Sequence, residues 1–235
     1  MLMSITCVSS YYQVKNKHDN KYNEWFKNTL SINLPYVFFT DTHTVEFIKS
    51  FRKDLPTYFI ECDISEFETY KYKDKFLTDP VHCPSVELSM IWHEKLFMVE
   101  KACRLNPFNT DWFHWVDAGV CVYRDKQPPN NLNTRLLEKL PIDKFIFSSS
   151  TYHYNPWLVS VVSDYHHIAG TSYILHKSFV STFTKLYKTY LENLPEKAFM
   201  YTTDQIILTH IYKDYPELYF KLCHDYGNVT SMLMI

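Results

Sequence analysis

Glycine is scarce in this chain: Gly119, Gly170 and Gly227 are the three in 235 residues. Neither GxGxxG nor GxxxxGK[ST] occurs, which excludes the dinucleotide fingerprint and the P-loop. There is no GxSxG, so the nucleophile elbow is absent too. The cysteines, Cys7, Cys62, Cys83, Cys103, Cys121 and Cys223, never form a CxxC, which argues against a zinc knuckle or a thioredoxin-like site. No apolar run approaches the ~20 residues that span a bilayer, so any membrane contact would be peripheral. The start, MLMSITCVSSYY, lacks a basic region and a long apolar stretch and reads as a first strand rather than a signal peptide. Cys7, Cys62 and Cys121 fall in expected buried strands, where a free thiol acts as a small hydrophobe. Together these features predict a reducing, cytoplasmic setting. The formal charge is −2, pI is near 6.6, and basic residues do not cluster. Nothing electrostatic therefore points to nucleic acid or an acidic membrane as partner.

What is abundant is aromatic. Tyr (19) and Phe (17) lead an aromatic share of 17%, so the core is bulky and many hydroxyls need partners or solvent. At this length the chain can bury a core without staples. Short apolar runs at Ser4–Ser10, Tyr36–Thr40, Thr57–Glu61, Trp112–Val116 and Phe145–Ser149 read as strands. Helical patterns separate the early ones: Asn23–Ser31, Thr44–Arg52, and the longest, Ser85–Asn106, capped by Ser85 and stopped by Pro107. This alternation predicts an α/β domain with a mainly parallel central sheet and helices on both faces. Residues 65–84 read as a long, polar and aromatic excursion, and such loops are often functional. His167–His176 reads as a loop entering a strand, Ser178–Leu191 and Thr203–Tyr212 as helices, and the tail from Tyr219 as holding a short strand.

Several residues could carry chemistry. A very apolar strand delivers Asp117 in WFHWVDAG, and the C-terminal edge of such strands is where open α/β sheets bind ligands. A carboxylate there can hold Mg²⁺ or Mn²⁺ against a diphosphate, or can merely cap a turn. Asp204 opens a helix behind two threonines, where helix capping is the plain alternative. His224 with Asp225 before Gly227 is a possible metal ligand or an ordinary solvated residue. The pair His166–His167 could line a pocket or simply meet solvent at the surface. Lys95 shares a helix face with Leu88, Ile91, Met98 and Ala102; facing inward it could meet a phosphate, and otherwise it is a solvated lysine. Gly119 and Gly170 each mark a place where something can approach the backbone, or a simple turn.

Three runs carry a resemblance: Ile91-Trp92-His93-Glu94-Lys95, Leu105-Asn106-Pro107-Phe108-Asn109-Thr110-Asp111, and Trp115-Val116-Asp117-Ala118-Gly119. With Glu24-Trp25, Phe38-Phe39-Thr40-Asp41 and Thr203-Asp204-Gln205, the chain resembles the HtrL/YibB family of glycosyltransferases from about Ile5 to about Leu208. The resemblance implies a GT-A-type, Rossmann-like fold in one domain over 1–235. A nucleotide-sugar half would occupy about 1–119 and an acceptor half about 120–235. It implies a nucleoside diphosphate sugar as donor, by family habit a UDP-linked hexose. The acceptor would be a hydroxyl on a glycan or a protein side chain. By this resemblance Thr6, Ser9, Tyr11 and Asp41 lie near the base. Asp117 and His224 hold Mn²⁺ or Mg²⁺, Lys95 adds a cation, and Asp204 with Gln205 faces sugar or acceptor, Asp204 as base or as a sugar-binding carboxylate. Gly170 admits the substrate. GT-A enzymes commonly carry D-x-D at this strand end, whereas here Asp117 is followed by Ala118 and Gly119. That departure supports another reading, a degenerate domain that binds nucleotide or glycan without turnover; a nucleotidyltransferase, which also uses a metal-bound carboxylate on an α/β sheet, is a further alternative.

Overall fold

A computed structural model describes residues 4–150, 167–193 and 203–235. Among these residues seven strands form one sheet. They are β1 (Ile5–Ser10), β2 (Tyr36–Thr40), β3 (Thr57–Glu61), β4 (Trp112–Val116), β5 (Phe145–Ser149), β6 (Ile168–His176) and β7 (Tyr219–His224). Their order is β3-β2-β1-β4-β6-β5-β7. Strands β3, β2, β1 and β4 run parallel, β6 runs antiparallel to both β4 and β5, and β7 is parallel to β5. The sheet is thus mainly parallel, with one reversed strand.

The helices are α1 (Tyr22–Thr29), α2 (Val45–Arg52), α3 (Val86–Leu105), α4 (Thr134–Leu137), α5 (Lys177–Asn193), α6 (Asp204–Asp214) and α7 (Asn228–Leu233). On one face α3, α5 and α6 pack Val99, Phe183 and Ile207 against Val8, Phe113, Trp115 and Tyr173. On the other, α1, α2, α4 and α7 pack Phe26, Ile48, Leu137 and Val229 against Cys7, Phe38, Trp112 and Ile174. Covering both faces is what buries β2, β4 and β5 along their whole length instead of at alternate residues. Arg52 ties the first half together. Its guanidinium, stacked on Tyr36, donates to the carbonyls of Leu30, Ile32, Leu34 and Pro56 and to the Thr57 hydroxyl.

The expected elements hold to within a residue or two, with three differences. Residues 168–176 are strand throughout, because the ladder to β5 already closes at Ser149 and Ile168. The 65–84 excursion contains 3-10 turns at Ile64–Glu66 and Glu68–Lys75, docked on α3. There Glu94 accepts from the Glu68 amide (3.1 Å), the Thr69 amide (3.0 Å) and the Thr69 hydroxyl (2.7 Å). Burial pushes the Glu94 carboxyl up to about 7 even against those hydrogen bonds. Finally, Cys7 is a buried strand residue, but Cys62 follows β3 and Cys121 begins a 3-10 turn, both half-buried. Each is displaced from a strand because the apolar run before it ends one to a few residues earlier. All six thiols are free. Among the described residues no helix is long and apolar enough to cross a membrane.

Candidate functional site

The site grows from the end of β4. Side chains two apart on a strand share a face, so Trp115 and Asp117 point the same way. The Trp115 indole donates to Asp117 Oδ1 at 2.8 Å, and Lys95 Nζ lies 3.1 Å from the same oxygen. The Asp117 side chain is 31% exposed, with one oxygen fixed inward and the other free of those two contacts. Its amide donates to Thr171 O, which binds the strand end to β6.

Lys95 reaches this point because it lies on the inward face of α3, and it is buried. The solvated alternative is therefore excluded. Its ammonium donates to Gly170 O at 2.9 Å and lies 3.5 Å from Asp204 Oδ2. Burial alone would lower its pKa; Asp117 and Asp204 outweigh that and leave it raised. Its charge is thus set against Asp117 and Asp204 and one of its three N–H donors against Gly170 O, so Lys95 is committed to the protein's own groups rather than left open to a phosphate.

Asp204 opens α6, but Thr203 is the cap, its hydroxyl accepting from the Gln205 amide. Asp204 turns inward and is 3% exposed. Burial raises its carboxyl to about 6, Lys95 pulls it down, and Asp117 pushes it up again. Beyond the ion pair, Oδ2 accepts no hydrogen bond among the described residues. Gly170 makes this packing possible. A Cβ there would sit 2.8 Å from Gln205 Cγ and 2.9 Å from Asp204 Oδ2. What approaches that backbone is therefore the Asp204–Gln205 pair.

The remaining candidates lie in different places. Tyr11 and Asp41 stand at the ends of β1 and β2, on the same sheet edge as Asp117. Tyr11 packs on Tyr22 and Phe26. Asp41 Oδ1 accepts from the amides of His43 and Thr44 and the Thr44 hydroxyl, anchoring the start of α2. Ser9 is fully buried, and its hydroxyl has no partner among the described residues. Thr6 is buried nearer the opposite end of β1, sharing a hydrogen bond with Thr110 (2.7 Å). Gln205 donates to the Tyr226 hydroxyl at 3.2 Å.

His224 ends β7, where its Nδ1 pairs with the Ser149 hydroxyl (2.8 Å). That is three strand positions from β4, roughly 14 Å along the sheet at about 4.8 Å per strand. The structure thus joins Lys95, Asp117, Asp204 and Gly170 and leaves His224 and Thr6 apart from them. His166 lies outside the described residues; burial lowers His167 to about 4. Among the described residues no three His, Cys, Asp or Glu side chains gather as a metal site. Asp117 fits the other common mode, in which one carboxylate and the substrate's own phosphates hold Mg²⁺.

Sequence reasoning missed two supports of this site. Trp115 fixes Asp117, a role that its i, i+2 spacing could have signalled. Tyr22 and Trp25 of α1 press on Gly119, where a Cβ would meet Tyr22 Cε1 at 2.8 Å; Gly119 therefore answers to ring packing.

No protein-family model matches the chain, and no curated protein matches it. Among solved structures it is similar to the apo form of the bifunctional glycosyltransferase WbbM, with TM-score 0.50 and 12% identity. That match covers 94% of this chain and 39% of WbbM, so the chain spans well under half of its length. Two further matches are the PaToxG glycosyltransferase (TM-score 0.40, 10% identity, 90% of this chain and 68% of that one) and the 4-diphosphocytidyl-2C-methyl-D-erythritol synthase of Anaerococcus prevotii DSM 20548 (TM-score 0.43, 9% identity, 94% and 87%). The likeness to WbbM is one of fold: an α/β, GT-A-like sheet flanked by helices.

Proposed function

We propose that the protein is a glycosyltransferase that moves a hexose from a nucleoside diphosphate sugar, first of all a UDP-hexose, to a hydroxyl on a glycan or protein side chain. One observation carries this reading. A buried ammonium, Lys95, ties a carboxylate at the C-terminal end of β4 to a second carboxylate at the start of α6. Such a strand edge is the ligand edge of an open α/β sheet. The motif resemblance to the HtrL/YibB family and the GT-A-like sheet support it. In this reading residues 1–119 hold the nucleotide, with Tyr11 and Asp41 toward the base, and residues 120–235 hold the acceptor.

The chain's own groups would act as follows. Trp115 and Lys95 fix Asp117 so that its outer oxygen faces the donor. Mn²⁺ or Mg²⁺ held by that oxygen would neutralise charge on the leaving diphosphate. The acceptor hydroxyl gives its proton to the Asp204 carboxylate, and its oxygen bonds to the anomeric carbon. The anomeric C–O bond breaks, and the diphosphate leaves with the electron pair. With its carboxyl raised to about 6, Asp204 is mainly ionised at neutral pH yet basic enough to take a proton. Gln205, tied to Tyr226, orders the edge beside Asp204. The test is a panel of nucleoside diphosphate sugars with Mn²⁺, read as free nucleoside diphosphate. Release from one donor supports the reading. Binding without release favours a degenerate domain, and pyrophosphate release from a nucleoside triphosphate favours a nucleotidyltransferase.

A further inference from the structure

A diphosphate at this edge meets a charge problem. One ammonium stands against two carboxylates, held by Gly170 O and paired with Asp117 and Asp204. Besides the divalent ion that Asp117 would hold, a cation of the chain's own with donors to spare would help, and Arg124 has the right placement. It follows the 3-10 turn Cys121–Tyr123 that leaves the Asp117–Gly119 corner. Its Nε donates to Gly119 O at 2.9 Å, and its guanidinium carbon lies 3.7 Å from the centre of the Trp25 ring. Asn28 holds its backbone carbonyl (3.1 Å). Among the described residues no carboxylate pairs with it and neither terminal nitrogen has an acceptor. A guanidinium oriented from two sides, with its outer fork empty, is preorganised for a phosphate oxygen pair.

The surroundings agree. His18 packs edge-on against Trp25 at 4.9 Å. Burial, then Arg124, Lys17 and Lys21, hold it down to about 4 against the opposing pull of Asp19. Burial raises the Tyr22 hydroxyl; the Asp117 carboxylate adds to that and the Arg124 guanidinium opposes it. We infer that Arg124, seated on Trp25, grips the diphosphate of the nucleotide ligand beside Asp117; this rests on the nucleotide-sugar reading above.

The test titrates inorganic pyrophosphate, and separately UDP, CDP, GDP and ADP, into wild-type, Arg124→Gln, Arg124→Lys and a Lys17→Gln/Lys21→Gln variant. Calorimetry and tryptophan fluorescence report binding, and thermal unfolding checks each fold. Arg124→Gln should weaken pyrophosphate and the preferred nucleoside diphosphate by about 10- to 100-fold, the worth of charged hydrogen bonds. Arg124→Lys should lose part of that, because it keeps the charge without the fork. The double lysine variant should stay within about threefold, since screened surface charges contribute little. Equal binding by wild type and folded Arg124 variants overturns the inference, as does an equal loss in the lysine variant. Wild-type binding of pyrophosphate but of no nucleoside diphosphate, lost in Arg124→Gln, keeps the anion subsite and removes the nucleotide reading. No binding of either probe removes both.

Discussion

Lys95→Met takes the ammonium from between Asp117 and Asp204 and leaves a similar stem in α3. Asp204 is then 3% exposed with only the Thr203 hydroxyl to meet it. Removing one partner of a buried ion pair costs about 3–5 kcal/mol. The cost depends on pH, because Asp204 can escape by protonation. Its folded pKa is raised, so its contribution to stability is present below the unfolded value and is lost as pH rises through about 6. Without Lys95 the carboxyl moves higher still, and the penalty grows up to and beyond pH 7. At pH 5 the loss shrinks to the hydrogen bond on Gly170 O and the contact with half-exposed Asp117, about 1–2 kcal/mol. For a chain of this size each kcal/mol is worth about 2–4 °C. Thermal unfolding should therefore drop by roughly 6–20 °C at pH 8 and by about 2–8 °C at pH 5. Urea titration at both pH values gives the free energies directly. A loss below about 1 kcal/mol at pH 8, or equal losses at the two pH values, would mean that the ammonium is not the counter-charge of a buried Asp204.

Arg52→Lys offers three donors where the guanidinium serves four carbonyls and the Thr57 hydroxyl. At least two acceptors lose their partner and the planar fork is gone, which should cost about 2–5 kcal/mol in urea unfolding; a change under about 0.5 kcal/mol would contradict the strut. Gly170→Ala pushes a methyl into Asp204 and Gln205 and should lose about 1–3 kcal/mol and most turnover together, measured on one preparation. Unchanged turnover would show that Asp204 need not sit where it does. Glu94, raised to about 7, makes wild-type stability fall as pH climbs from about 4.5 to 7. Glu94→Gln should flatten that slope in unfolding curves while lowering stability at pH 5, because its amide faces donors from Glu68 and Thr69. An unaltered slope counts against the buried carboxyl.

The fold was legible where the physics is local. The strands at Tyr36–Thr40, Thr57–Glu61, Trp112–Val116 and Phe145–Ser149 stand as read, since a short apolar run between helical patterns admits few other solutions. Asp117 could be found because it ends such a run. Lys95 was half legible: its place on the apolar face of α3 showed, but its two carboxylate partners come from residues far along the chain. The reversed direction of β6 could not be read, because its HIAGTSYILH pattern fits either direction and only pairing to β4 and β5 decides it. Thr6 and Asp41 show the converse difficulty. A hydroxyl or carboxylate near a strand end looks available in sequence, yet Thr6 is spent on Thr110 and one oxygen of Asp41 on the start of α2. Arg124 escaped notice because it follows an irregular turn, and only the fold sets it on Trp25.

Asp117 is the group on which the proposed chemistry turns, so comparing wild type with Asp117→Ala in donor turnover is the most direct measurement. Both proteins are incubated with the nucleoside diphosphate sugar panel and Mn²⁺, free nucleoside diphosphate is quantified, and thermal unfolding is followed in parallel. The expected result is release from a preferred donor by wild type and a loss of at least about 10²-fold in a variant that remains folded, the scale of a removed transition-state charge contact. Turnover by Asp117→Ala close to wild type, with Mn²⁺ present and the fold intact, would contradict the assignment of the β4 edge as the catalytic site.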